Sequence, residues 1–334
     1  MRICIVGLGA IGGLFAGWLG GGLAPGSLRL SALARGDTLA AVQRHGLQFE
    51  SAGVIGTVPL HAAADPAALG VQDLVIVAVK GPALAGLAPA VQALCDSHTQ
   101  VLVAMNGVPW WFFDGLPGPC AGLRLRSVDP DGRLHALLPG KQVIGCVVHA
   151  SCQVPTPGRV LHVQGNGLIV GRPAGDTDAQ LHRVAALLSQ AGFAVTVSPR
   201  IQQDVWFKLW GNMTMNPVSA LTGATADRVL DDPLVRAFIS AAMREMKAVG
   251  AAFGIPIEQT PEDRHAVTRK LGAFKTSMLQ DVQAGRPLEI DGLVGAVREI
   301  AQQLGLATPN LDALLGLVRL MARERGLYPP TASA

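Results

Sequence analysis

The sequence predicts an α/β protein: an N-terminal Rossmann-type doubly wound sheet joined to an all-helical C-terminal domain. Three observations carry this expectation. Short apolar runs alternate with helix-length segments as far as Pro199; a glycine-rich turn, Gly7-Leu8-Gly9-Ala10-Ile11-Gly12, follows the first of those runs; and every periodic segment after Pro199 reads as helix. The expected division is a dinucleotide-binding domain over 1–199 and a helical substrate domain over 200–334.

The first run, Ile3-Cys4-Ile5-Val6, is continuously apolar, as a parallel strand buried on both faces must be. In the turn that follows, Gly7 permits a tight bend, Gly9 lets the backbone approach a pyrophosphate, and Gly12 lets helix and strand pack closely. Leu8, Ala10 and Ile11 supply the intervening backbone, whose N–H groups at a helix start face the phosphates. An export signal would need a basic leader and a glycine-poor apolar centre, and Arg2 alone does not provide the former.

Leu28–Leu33 reads as the second strand. At its end an NAD site would place a carboxylate for the ribose hydroxyls, whereas this chain has Ala34-Arg35-Gly36. A guanidinium there suits the 2′-phosphate of NADPH, although Asp37 stands two positions on and Arg35 in a solvated loop is the alternative. Asp73–Val79 and Gln100–Ala104 are two further buried strands, ended by Lys80-Gly81-Pro82 and Met105-Asn106-Gly107. Lys80 and Asn106 are therefore expected near the glycine turn at the carboxyl ends of the strands; either also suits a plain turn or cap.

Pro109-Trp110-Trp111-Phe112-Phe113 is an aromatic cluster suited to core packing. Gly145–Ser151 and Arg159–Gly171 read as strands, and Gln164-Gly165-Asn166-Gly167 as a hairpin turn between strands. A helix over 177–192 and a strand over 194–197 complete the first domain.

The most informative spacing lies beyond residue 200. Lys208, Asn212 and Asn216 stand at i, i+4 and i+8, so on a helix they drift by only about 80° and share a face. Trp206, Phe207, Leu209, Trp210, Met213 and Met215 fill most other positions, giving a buried helix with a narrow polar seam. An amine held in such surroundings loses affinity for its proton, which suits a proton donor. Further on, Lys275–Asp281 is expected to end one helix, Gly285-Arg286-Pro287 to turn the chain, and Leu288–Asp291 to begin the next. That turn brings Ser277 and Glu289 toward one crevice. On pattern alone, Glu289 is a first-turn partner of a helix dipole and Ser277 is a cap or a ligand.

Composition excludes other classes. Of 334 residues, 49% are hydrophobic and 15% charged, so the chain has apolar material for large cores and is not disordered. A net charge of +3 without a basic block gives no footprint for nucleic acid, and no uninterrupted apolar stretch suits a bilayer span. Five scattered cysteines without CxxC pairs read as free thiols of a cytoplasmic protein, and no metal site is expected.

Taken together, GLGAIG, Arg35, MNG, KLWGNMTMNP and SMLQD…GRPLEID resemble the ketopantoate reductase (2-dehydropantoate 2-reductase) family, in order and spacing, as far as about Leu320. The resemblance implies NADPH-dependent reduction of the ketone of 2-dehydropantoate to pantoate, on the route to pantothenate. It implies Lys208 as the catalytic lysine and Glu289 as the conserved acid. Asn106, Asn212, Asn216 and Ser277 become substrate contacts, and Lys80 and Asn106 border the cofactor. Val294, Phe274 and Ala226 depart from the family pattern, which bears on the identity of the keto acid. A reductase of another 2- or 3-keto acid and a non-catalytic NADP(H) sensor are the alternatives. The apolar helix over Leu311–Met321 could pack on its own domain or form a homodimer.

Overall fold

The computed structural model describes residues 1–24 and 26–330. The chain separates into two compact units, one of 1–105 with 132–204 and the other of 106–131 with 205–334. The expected split at 199 thus differs in two ways. The boundary falls five residues later, and 106–131 clusters with the helices. The reason is the aromatic cluster: Phe112 and Phe113 are fully buried in the helical core, where Phe112 lies 5.9 Å from Trp206 and Phe113 lies 5.4 Å from Phe253, centroid to centroid.

In the first unit the strands are β1 (Arg2–Val6), β2 (Arg29–Leu33), β3 (Leu47–Ser51), β4 (Val54–Val58), β5 (His61–Ala63), β6 (Leu74–Val77), β7 (Gln100–Val103), β8 (Val143–Thr156), β9 (Arg159–Gly171) and β10 (Ala194–Val197). They form one mixed sheet in the order β4-β3-β9-β8-β7-β6-β1-β2-β5, with β10 beside β9. The run from β5 through β2, β1, β6 and β7 to β8 is parallel, whereas β8 and β9 form a long antiparallel hairpin. Ile3, Cys4, Ile5 and Val6 are completely buried, as a central parallel strand covered on both faces requires.

Helices α1 (Ala10–Gly21), α2 (Gly36–His45), α3 (Gly81–Ala93), α4 (Arg133–Leu137) and α5 (Ala179–Gln190) belong to this unit. In α1, an added β-carbon at Gly13 would lie 2.3 Å from Val160 and one at Gly17 2.3 Å from Phe49, so the helix sits hard against β9 and β3. Asp178 caps α5 by accepting from the Leu181 amide at 2.8 Å. It also pairs with Arg172, whose guanidinium is buried and donates to Gln100 as well.

The expected hairpin turn at 164–167 is corrected. The turn is Pro157-Gly158, with Gly158 at φ +77°, and 164–167 lies inside β9, where the pairing with β8 shifts register. Gly165 takes φ +77°, which favours glycine. Its glycine is also required there because a β-carbon would meet the His149 carbonyl at 2.5 Å.

The second unit holds α6 from Val205 onward (the helix spans Ile201–Thr222), then α7 (Ala226–Asp231), α8 (Pro233–Ala252), α9 (Pro261–Arg269), α10 (Ser277–Gln283), α11 (Ala296–Gln303) and α12 (Pro309–Glu324). A π-helical turn, Asp291–Gly295, precedes α11. Trp206, Trp210, Met243, Met246 and Phe253 centre the core, and the Trp210 indole N–H donates to the Met243 carbonyl at 2.9 Å. Helix starts are fixed by side chains: Asp232 caps α8, and Thr260 and Asp263 form a reciprocal box at α9. Glu299 of α11 accepts from the amides of Arg126 and Ser127, which ties the 106–131 segment to the helices. Helix α12 buries Leu311, Leu314, Leu315 and Val318 in its own unit, leaving Leu317 and Leu320 exposed.

Candidate functional site

The elements expected to bind a dinucleotide lie at the carboxyl ends of parallel strands. Val6 of β1 is in register with Leu33 of β2 and Val77 of β6, and Val77 with Val103 of β7, so the segments that follow emerge along one sheet edge. Gly7 takes φ +89°, a conformation that favours glycine. A β-carbon on Gly12 would come within 1.8 Å of the Gly7 carbonyl oxygen, so only glycine permits α1 to close over the turn. Gly9 is exposed, caps α1 without a side-chain bond, and has open space where a β-carbon would stand.

A helix start bare of side chains, approached over a glycine and with no acid in its first turn, fits a pyrophosphate. Leu8 is buried and Ala10 and Ile11 half-buried on the same turn. Arg35 is exposed and caps α2 directly beyond β2, and Asp37 lies in the first turn of that helix. Lys80 is half-buried and caps α3 beyond β6. These residues fit a dinucleotide.

In the second unit the polar seam forms on α6. Trp206, Leu209, Trp210 and Met213 are buried, Lys208 and Asn212 are half-buried, and Asn216 is 5% exposed. Lys208 Nζ donates to Asn106 Oδ1 at 2.9 Å. Two turns along, about 12 Å by helical rise, Asn216 Nδ2 donates to Ser277 Oγ at 3.4 Å. Asn212 lies one turn from each. The structure therefore brings Asn106 to Lys208 and Ser277 to Asn216.

Ser277 does not end a helix as expected: it opens α10, behind the cap made by Thr276, which accepts from the Leu279 amide. Residues 272–276 are not helical and separate α10 from α9. Glu289 is half-buried just ahead of the π-helical turn.

That turn was not foreseen, nor was its partner. The Gly292 carbonyl accepts from the Val108 amide at 2.8 Å, and a β-carbon on Gly107 (φ +84°) would lie 2.6 Å from Gly292. Two backbones meet here without side chains, beside Asn106. The Asn-Gly and Asp-Gly pairs were the available signal, since such pairs mark sharp turns. At the start of the turn, Asp291 accepts from the Tyr328 hydroxyl at 2.6 Å. Burial raises the Asp291 carboxyl above the ordinary range, against the pull of Tyr328, Arg319 and Arg323, and burial beside that acid pushes Tyr328 up to about 12.

Among the described residues no cluster of three or more His, Cys, Asp or Glu is placed to hold a metal, and no helix is long and apolar enough to cross a membrane. The five cysteines are free thiols.

Two family profiles match the chain: "Ketopantoate reductase PanE/ApbA" over residues 3–114 and "Ketopantoate reductase PanE/ApbA C terminal" over 200–322. A 2-dehydropantoate 2-reductase of Mesorhizobium japonicum is 40% identical over 311 residues, covering 93% of this chain and 94% of that protein. Among solved structures, a Ralstonia solanacearum MolK2 protein provisionally named a ketopantoate reductase superposes with TM-score 0.93 at 55% identity, covering 98% of this chain and 99% of its own. A PanE/ApbA family ketopantoate reductase from Ralstonia eutropha JMP134 gives TM-score 0.83 at 25% identity, covering 98% and 100%.

Proposed function

The chain belongs to the ketopantoate reductase family, and from that premise we propose that it reduces 2-dehydropantoate to pantoate with NADPH, on the route to pantothenate and coenzyme A. The family's enzymes are oxidoreductases acting at a CH–OH carbon. In this reading Gly7, Leu8, Gly9, Ala10, Ile11 and Gly12 cradle the pyrophosphate, Arg35 takes the 2′-phosphate, and Lys80 and Asn106 border the cofactor. NADPH, when bound, supplies the hydride.

Lys208 does the proton chemistry. As the ketone is reduced, negative charge gathers on its oxygen; the Lys208 ammonium stabilises that charge and passes one proton to it, leaving a neutral amine to be reprotonated from solvent. Asn106 holds the ammonium through its side-chain oxygen, which fixes where the proton is presented. Glu289 orients a substrate hydroxyl or the lysine. Asn212, Asn216 and Ser277 bind the substrate by hydrogen bonds, Asn216 and Ser277 acting as a pair.

The observation that carries this reading is the Lys208–Asn106 bond on a helix otherwise packed with aromatic and aliphatic side chains. The test is loss of reduced-nicotinamide absorbance with 2-dehydropantoate and a panel of other 2-keto acids. The highest kcat/KM is expected for 2-dehydropantoate. A higher value for another acid would reassign the substrate, and no consumption with any acid would leave a cofactor-binding sensor.

A further inference from the structure

Glu289 stands in a four-residue stretch, Leu288–Asp291, that one other segment grips at both ends. The Leu288 amide donates to the Leu327 carbonyl at 3.0 Å, and three residues on, Asp291 accepts from the adjoining Tyr328 hydroxyl at 2.6 Å. The gripping segment is itself fixed. The amides of Gly326 and Leu327 donate back to the Arg323 and Ala322 carbonyls, Gly326 takes φ +66°, and the Arg323 guanidinium lies 5.5 Å from the Tyr328 ring centroid. This is a strap anchored on the end of α12.

The gripped stretch leads into a π-helical turn, a rare geometry that occurs mostly as single turns and frequently at functional sites. Asp291 is the first residue of that turn and Gly292 the second. Gly292 abuts Gly107 and accepts from Val108, and Asn106, next in the chain, holds Lys208. A continuous set of short contacts therefore runs from Tyr328 through Asp291, Gly292 and Gly107 to Asn106. Glu289 lies two residues before its second member.

We infer that Tyr328 and Asp291 are positioning residues: their hydrogen bond sets the π-helical turn, and with it the placement of Glu289 and of the loop that presents Asn106 to Lys208. This rests on the reading that Lys208 and Glu289 act on the substrate. Tyr328 touches no reacting atom in this account. It works through the turn, and it is the single tyrosine of the sequence.

The experiment uses the full chain with Tyr328→Phe, Asp291→Ala and Asp291→Asn, assayed with NADPH and 2-dehydropantoate. Misplacing a reacting group by a fraction of an ångström is expected to lower kcat/KM for the keto acid by roughly ten- to a hundred-fold in Tyr328→Phe and Asp291→Ala. NADPH titration should count the same fraction of competent sites as in the parent, which separates misplacement from unfolding. Asp291→Asn keeps an acceptor oxygen and should recover most of the loss seen in Asp291→Ala.

In a Glu289→Gln background, Tyr328→Phe should cost much less than it does alone, read as kcat/KM or, for a silent enzyme, as keto-acid affinity from tryptophan quenching. Unchanged kcat/KM in Tyr328→Phe, an Asp291→Asn enzyme as impaired as Asp291→Ala, or full additivity with Glu289→Gln would each overturn the inference. Lys208→Ala assayed alongside keeps the two ideas apart: its normal turnover would remove the underlying reading, whereas its inactivity beside a normal Tyr328→Phe would remove only the strap.

Discussion

Lys208 and Asn106 are 102 positions apart in sequence, and the ammonium of one donates to the side-chain oxygen of the other at 2.9 Å. Removing the amine with Lys208→Ala is expected to lower kcat by about 10²–10⁴-fold, the range for a positioned proton donor. The Kd for NADPH, measured by nicotinamide fluorescence, should stay at the parent value because the glycine turn is untouched. Asn106→Ala should give a smaller loss, about tenfold, as the amine keeps its charge but loses its tether.

Arg35 caps α2 from an exposed position at the end of β2. A charge-assisted hydrogen bond contributes about 1.5–3 kcal/mol, so Arg35→Ala should raise the KM for NADPH by roughly ten- to a hundred-fold and leave that for NADH nearly unchanged. Steady-state kinetics with both cofactors reads the ratio directly. An unaltered preference would return Arg35 to a solvated loop.

Gly9 and Gly12 separate a binding requirement from a packing one. Alanine at Gly12 would put a methyl 1.8 Å from a carbonyl oxygen and should prevent the first unit from folding normally, visible as a large fall in Tm. Alanine at Gly9 meets nothing, and its φ of −76° suits any residue. Gly9→Ala should therefore keep the parent Tm while weakening NADPH, because the methyl occupies the face offered to the pyrophosphate.

Asp178 gives the protein an acid limb. Burial opposes its charge, but the Arg172 guanidinium and the Leu181 amide outweigh it and hold the carboxyl below its ordinary 3.8. A folded-state pKa below the unfolded one means stability present above the unfolded value and lost as pH falls through the folded one. Urea midpoints should thus drop below about pH 4. In Asp178→Asn that contribution to the drop should vanish, with lower stability at neutral pH where the Arg172 charge stays buried against an amide.

Much of the local geometry of the candidate site is legible where one residue type admits one use. Gly12 has to be glycine for steric reasons, and the Lys208, Asn212 and Asn216 spacing has only one helical interpretation; both are written locally. The segment 106–131 was not legible, because its aromatic residues satisfy a core equally well in either unit, and only the rings of Trp206 and Phe253 decide which. Gln164–Gly167 misled for a related reason. A positive φ inside a strand, with no room for a β-carbon beside the His149 carbonyl, leaves the same glycine signature as a hairpin turn. Lys275–Asp281 reads as the end of a helix, whereas Ser277 opens one, because the Thr276 cap that starts α10 is a single polar residue among several.

The chain passes between its two units at 105/106, 131/132 and 204/205. No single scission, whether by protease or by gene truncation, can therefore release either one whole. A fragment beginning at 205 would lack Phe112 and Phe113 and uncover the parts of Trp206 and Phe253 on which they pack, and during synthesis Phe112 and Phe113 must wait for helices not yet translated. The helical half is thus unsuited to modular transplantation, and chimaeras with a relative must exchange 106–131 together with everything after 204.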